Sequence, residues 1–159
     1  MGKLHHEIKI DAPVTKVWRV LADLEAVQNY NPAVAKAHCT SPVKQGVGAS
    51  RHCDLKPKGW VRERVTVWEP ERAVGLEVTE SEWPIVFMRW RTDVQPDGSG
   101  TLVKQDFEYQ LKFGLLGNLM DALMMRRKLN QGLNDIFASM KQYIEYGELK
   151  TPQAAVTTS

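Results

Sequence analysis

Three residues in the stretch ASRHCDLKPKGWVRERV, Ala49 to Val65, could do chemistry: Arg51, Cys53 and Glu63. Desolvation would raise the pKa of Glu63 and make it a general base, whereas a neighbouring arginine would lower it, so the two effects oppose. Arg51 could meet a ligand carboxylate or oxyanion, or it could neutralise Glu63, since an unpaired buried charge is costly. Cys53 lacks the surroundings of an activated nucleophile: His52 is its chain neighbour but belongs to the other sheet face, which leaves a small buried thiol. Cys39 and His38 meet the same objection. Trp90 and Tyr109 carry polar handles on apolar bodies and suit either a ligand or a packed core. His5-His6 and the later pairs lack the Cys/His spacing of a metal site, and there is no phosphate-binding glycine loop, so neither metal nor other cofactor is expected.

For these side chains to meet, the opening stretch must be a hairpin with one face turned inward. Lys56-Pro57-Lys58-Gly59 has proline second and glycine fourth, which predicts a type I turn followed by a left-handed glycine bulge. Pairing Lys56 with Trp60 sets Cys53 opposite Glu63, Leu55 opposite Val61 and Arg51 opposite Val65. Arg51 is then a diagonal neighbour of Glu63, on the face that Val61 and Val65 mark as interior.

Around this hairpin the period is mostly two. Strands are predicted near 6–11, 34–39, 48–55, 60–68, 72–80, 86–94 and 101–113, seven in all, and their short connections favour antiparallel pairing. Between the first two strands, DAPVTKVWRVLADLEAV has Pro13 in a first helical turn, Asp11 as its cap and an apolar stripe of Val14, Val17, Trp18 and Leu21. A break near Asp23 divides this region into two short helices. The last periodic segment carries Leu119, Ala122, Leu123, Arg126, Leu129, Leu133, Ile136, Phe137, Met140 and Ile144 at helical spacing, with Gly147 as a stop. At roughly 45 Å it is long enough to cross a curved sheet. Gly132 costs helical propensity and is expected to mark close contact with a strand.

The 159 residues suit one domain, with 43% apolar and 25% charged residues in an ordinary balance. The net charge of +2 is spread along the chain without a basic block, which gives no nucleic-acid footprint. No run reaches transmembrane length. Two cysteines without a preceding apolar export segment point to free thiols in a reducing cytoplasm. A homodimer is left open, since no heptad repeat or interface patch decides it.

One strand, two short helices, six further strands and a long terminal helix make up the order. The chain resembles the START-like, Bet v 1-like (SRPBCC) superfamily, in its polyketide cyclase/dehydrase-like branch. The resemblance runs from about Ile8 to Tyr146 and rests on IDAPVTKVWRVLADLEAVQNYNP, on GVGASRHCDL with GWVRERVTVWEP, and on GTLVKQDFEYQLKFGLLGNLMDALMM. It implies an α+β helix-grip fold, a seven-stranded antiparallel sheet curved around the C-terminal helix. A single domain would span residues 4–148, followed by a flexible tail over 149–159.

That fold implies a cavity between the concave face and the helix. Alternation then nominates as ligand-binding residues Arg51, Cys53, Glu63, Val65, Leu76, Met88, Trp90, Gln105, Phe107 and Tyr109, a lining suited to a small hydrophobic or aromatic molecule with a polar group. Leu115 and Leu116, set between glycines, would form a gate with Met120 and Met124. Three functions fit. The first is a carrier or sensor of a hydrophobic ligand. The second is a cyclase-like enzyme working by confinement, with Glu63, Arg51 or Tyr109 moving protons. The third is an interaction module that presents Trp60, Trp68 and Trp83 to a partner.

Overall fold

In the computed structural model, which describes residues 1–112 and 119–147, seven strands form one antiparallel sheet. They are β1 (Gly2–Ile10), β2 (Val34–Cys39), β3 (Ser50–Leu55), β4 (Trp60–Glu69), β5 (Ala73–Ser81), β6 (Ile85–Asp97) and β7 (Gly100–Leu111). Their spatial order is β1-β7-β6-β5-β4-β3-β2. Every neighbour is a chain neighbour except β1 and β7, so short turns suffice for most of the sheet. α1 (Val14–Ala22) and α2 (Val27–Tyr30) flank a short 3₁₀ turn, Leu24–Ala26, and α3 (Leu119–Tyr146) follows β7.

The helical break falls at Asp23, whose carboxylate accepts the Glu25 N–H at 3.1 Å and caps the 3₁₀ turn. Asp11 does not cap α1: the cap position is Pro13, with no side-chain hydrogen bond. Ile10, Val17, Tyr30, Val34, Val103, Phe137, Met140 and Ile144 belong to one buried cluster that joins α1, α2, the sheet and the second half of α3.

Three further local expectations are corrected. The β3–β4 hairpin is not closed by a type I turn with a glycine bulge. The Lys56–Pro57 bond is cis, Gly59 takes a φ of 97°, and the Leu55 N–H donates to the Gly59 carbonyl at 2.8 Å. The pairing therefore shifts, with Arg51 directly opposite Glu63 and Cys53 opposite Val61. This register keeps the predicted faces and sets guanidinium against carboxylate instead of against Val65.

Trp68 is not an outward residue. Register shifts between Val65 and Val67, and this bulge turns Trp68 inward, where its ring packs edge-on against Trp18 at 5.3 Å. Gly132, finally, is not pressed against a strand: a Cβ there would meet no atom within 4 Å.

Candidate functional site

Cross-strand register arranges the inner face into rungs. Leu4, Phe107, Trp90, Leu76 and Val65 lie in line across β1, β7, β6, β5 and β4. Trp90 and Phe107 stack at 5.8 Å between ring centres. On one side of this apolar rung lie His6, Gln105 and Thr92, again in line. On the other side lie Tyr109 beside Met88, and Glu63 beside Val78 and Arg51. The polar residues of the concave face thus form two groups with an apolar band between them.

The first group is held by the 3₁₀ turn and by α2. Arg51 Nε donates to Glu63 Oε2 at 2.6 Å, and Arg51 Nη1 donates to the Leu24 carbonyl at 3.0 Å. Arg51 is 6% exposed and Glu63 8%. Burial works against the guanidinium charge, the facing Glu63 carboxylate and its hydrogen bond work for it together with smaller neighbouring effects, and the net result is an Arg51 pKa above its ordinary value. Burial, reinforced by the charge of Glu63, pushes the Cys53 thiol up to about 12. Burial also raises Tyr30, against the opposing effect of Arg51. At neutral pH the group contains a paired arginine, a protonated thiol and a protonated phenol.

The second group centres on β7. Gln105 Nε2 donates to Thr92 Oγ1 at 2.9 Å, and both residues are buried. His6 is 7% exposed and meets the Phe137 ring edge-on at 5.9 Å. Among the described residues its Nδ1 has no hydrogen-bond partner. Desolvation lowers the His6 pKa in spite of hydrogen bonding with Asn130 on α3.

All ten predicted ligand-facing residues are buried or half-buried. Arg51, Cys53, Glu63, Val65, Leu76, Gln105, Phe107 and Tyr109 are buried, while Met88 and Trp90 keep some exposure. They do not form one polar cluster, because the apolar rung separates Gln105 from Arg51 and Glu63. Sequence reasoning passes over Tyr30, the Leu24 carbonyl and His6. For His6 the signal is present: Leu4, His6, Ile8 and Ile10 alternate, and extending the first strand back to Gly2 places the histidine on the inner face.

α3 grips the sheet unevenly. Leu133, Phe137, Met140 and Ile144 are buried, whereas Leu123 is 50% and Met124 55% exposed. Arg126, expected on the apolar stripe, is exposed as well. Of the gate residues, Leu115 and Leu116 lie outside the described residues, as does the side chain of Met120. Two clefts of about 320 Å³ open elsewhere, one lined in part by Arg19, Leu24, Glu25 and Cys39, the other by Lys3, Leu4, His5 and Phe107 among others.

Among the described residues no group of three or more His, Cys, Asp or Glu side chains could hold a metal, and no helix is long and apolar enough to cross a membrane. The convex face is a solvated ladder of ion pairs, including Arg62–Glu80 at 3.0 Å and Arg89–Glu108 at 2.7 Å.

Residues 1–145 match the family described as polyketide cyclase / dehydrase and lipid transport. No curated protein matches the chain. Among solved structures, a START superfamily protein from Mycobacterium smegmatis is similar at 13% identity and a TM-score of 0.76, over 90% of this chain and 97% of that one. A protein from Thermus thermophilus is similar at 18% identity and a TM-score of 0.76, with the same two coverages of 90% and 97%. Ara h 8.0201 is similar at 12% identity and a TM-score of 0.71, over 90% of this chain and 97% of the other. These likenesses show the fold, a helix grip of the START and Bet v 1-like kind.

Proposed function

Since the chain belongs to the polyketide cyclase/dehydrase and lipid transport family, we propose that it binds a compact hydrophobic molecule between the concave face of its sheet and the first half of α3, as a carrier or sensor. The observation that carries this reading is the uneven grip of α3. Its second half is sealed onto the sheet, while Arg126, in phase with Leu133 and Phe137, stands exposed and Leu129, Met88, Trp90 and Leu111 are half-buried. Apolar side chains left partly uncovered on two facing elements favour a guest that covers them.

Binding is preferred to catalysis because the acid–base candidates are committed. Glu63 is bonded to Arg51, Arg51 is also bonded to the Leu24 carbonyl, and the Cys53 thiol sits far above neutral. The Arg51–Glu63 pair then serves as a clasp between the sheet and the 3₁₀ turn, and ligand contact falls to Phe107, Trp90, Met88, Leu76, Val65, Gln105 and Tyr109. In the same reading residues 4–148 are one domain and a gating role falls to Leu115, Leu116, Met120 and Met124, of which Met124 alone has a described side chain. Two free thiols fit a reducing cytoplasm.

Native mass spectrometry against a panel of compact apolar and aromatic compounds tests this reading. A metal-independent complex of one ligand per chain supports it, and absence of any complex rejects it. The family description also covers cyclases. If Glu63→Gln keeps binding but abolishes a measured ring-closure reaction, the enzyme reading replaces the carrier reading.

A further inference from the structure

His6 combines deep burial with a ring nitrogen that no group among the described residues satisfies. The side chain is 7% exposed, and its Nδ1 has no partner. A buried polar atom left unpaired loses its hydration without a replacement, so one that persists needs a physical reason. Asn130 on α3 neighbours the ring and favours its protonated form, as an acceptor does, and with Nδ1 unpartnered we assign the ring's donor to Nε2. A ring whose Nε2–H donates to Asn130 presents at Nδ1 a lone pair and no proton. Burial lowers the His6 pKa and keeps the ring in this neutral form. What Nδ1 can take is therefore a hydrogen-bond donor.

The position of His6 fits such a role. It lies one step along the sheet from the apolar rung of Leu4, Phe107 and Trp90, and in line with Gln105. A molecule entering beside Leu129, Met88 and Trp90 and lying along that rung would bring its leading end to His6, at the border of the sealed half where Phe137 meets the ring. The Arg51–Glu63 pair lies on the rung's far side and is already satisfied. We propose that His6 is the polar anchor of the ligand site, its Nδ1 accepting a hydrogen bond from a hydroxyl on an otherwise apolar guest, so that the ligand class is a hydrophobic alcohol or phenol and not a carboxylate. This inference rests on the ligand-binding reading above. A carboxylate is disfavoured because the ionised group offers only acceptors to an acceptor and loses its hydration without gaining a counter-charge.

The test compares two probes of matched shape, 2-naphthol and 2-methoxynaphthalene, by calorimetry on the wild type, His6→Phe and His6→Asn, with NMR of the His6 ring nitrogens in ¹⁵N-histidine-labelled protein. The wild type should prefer 2-naphthol by about fivefold, the worth of one net hydrogen bond, and its Nδ1 signal should move with 2-naphthol only. His6→Phe should bind both probes equally. His6→Asn, which keeps an acceptor near the Nδ1 position, should retain part of the preference. If both probes bind the wild type equally and Nδ1 does not respond, the anchor is wrong while the ligand reading stands. If neither probe binds, both fall. Should His6→Phe fail to fold, the wild-type NMR response and His6→Asn decide the matter.

Discussion

Arg51 and Glu63 face each other directly across β3 and β4, Nε to Oε2 at 2.6 Å, and the same guanidinium reaches the Leu24 carbonyl at 3.0 Å. One side chain therefore ties the two strands of the hairpin to each other and to the 3₁₀ turn that leads into α2. Removing one member of a buried pair leaves the other charge without its counter-charge. Glu63→Gln is expected to destabilise the fold by about 3 kcal/mol, and Arg51→Met by a similar amount. The double variant Arg51→Met/Glu63→Leu should lose much less than the sum. Denaturant melts of the four proteins check this, and strict additivity would contradict the pairing.

Much of this is legible in the residues. The phase shared by Arg51, Glu63, Val61 and Val65 identifies the inner face even though the predicted pairing is displaced, because that displacement preserves the alternation. Trp68 escapes the reading because a bulge changes phase without leaving a mark in composition. His6 escapes it because the start of a strand is the least marked part of it. The exposure of Leu123 and Arg126 is hidden for another reason: helical periodicity tells which side of α3 is apolar, but not how far along its length the sheet reaches.

Cys53 should resist modification in the native state. Burial and the Glu63 charge raise its pKa from 9.0 to about 12, so the reactive thiolate is scarce at neutral pH. Half-exposed Cys39, although raised by burial as well, should react first with a thiol reagent. A folded-state pKa above the unfolded one means that the unfolded chain loses its proton first. The contribution to stability is then complete below pH 9 and is lost as pH rises through about 12. Thermal melts of the wild type against Cys53→Ala should show the steeper alkaline loss in the wild type.

His5 and His6 should titrate on opposite sides of the ordinary 6.5. Hydrogen bonds to Asp106 and then to Glu7 raise His5, whereas desolvation lowers His6. His5 therefore favours the fold below pH 6.5, an effect lost as pH rises through its folded pKa. His6 favours the fold above 6.5, an effect lost as pH falls through its folded pKa. Ring-proton NMR across pH 4.5 to about 8.5 resolves the two; shifts in the same direction would contradict the assigned faces.

Gly132→Ala should stabilise the protein by about 1 kcal/mol, since alanine is the better helix former and its methyl would meet no neighbour. The melting temperature should rise by roughly 2–4 °C. A fall would mean that the position is closed after all.

Leu116→Ala should change the uptake rate of a fluorescent hydrophobic probe more than it changes global stability, and Met124→Ala, at an exposed site, should act in the same direction. Stopped-flow fluorescence reads the rate. An unchanged rate in both variants removes the gate.

The functional reading stands or falls on metal-independent binding of a compact apolar guest. Burying about 150 Å² of ligand apolar surface at roughly 25 cal/mol/Å² supplies about 4 kcal/mol before the costs of association. Calorimetric titration of the EDTA-treated wild type with 2-naphthol at several temperatures measures such binding without an intermediary. Saturable binding of one molecule per chain is expected, with a dissociation constant on the order of 1 mM or tighter and a negative heat-capacity change. Heats that never saturate, or saturation only after a metal is restored, would contradict it.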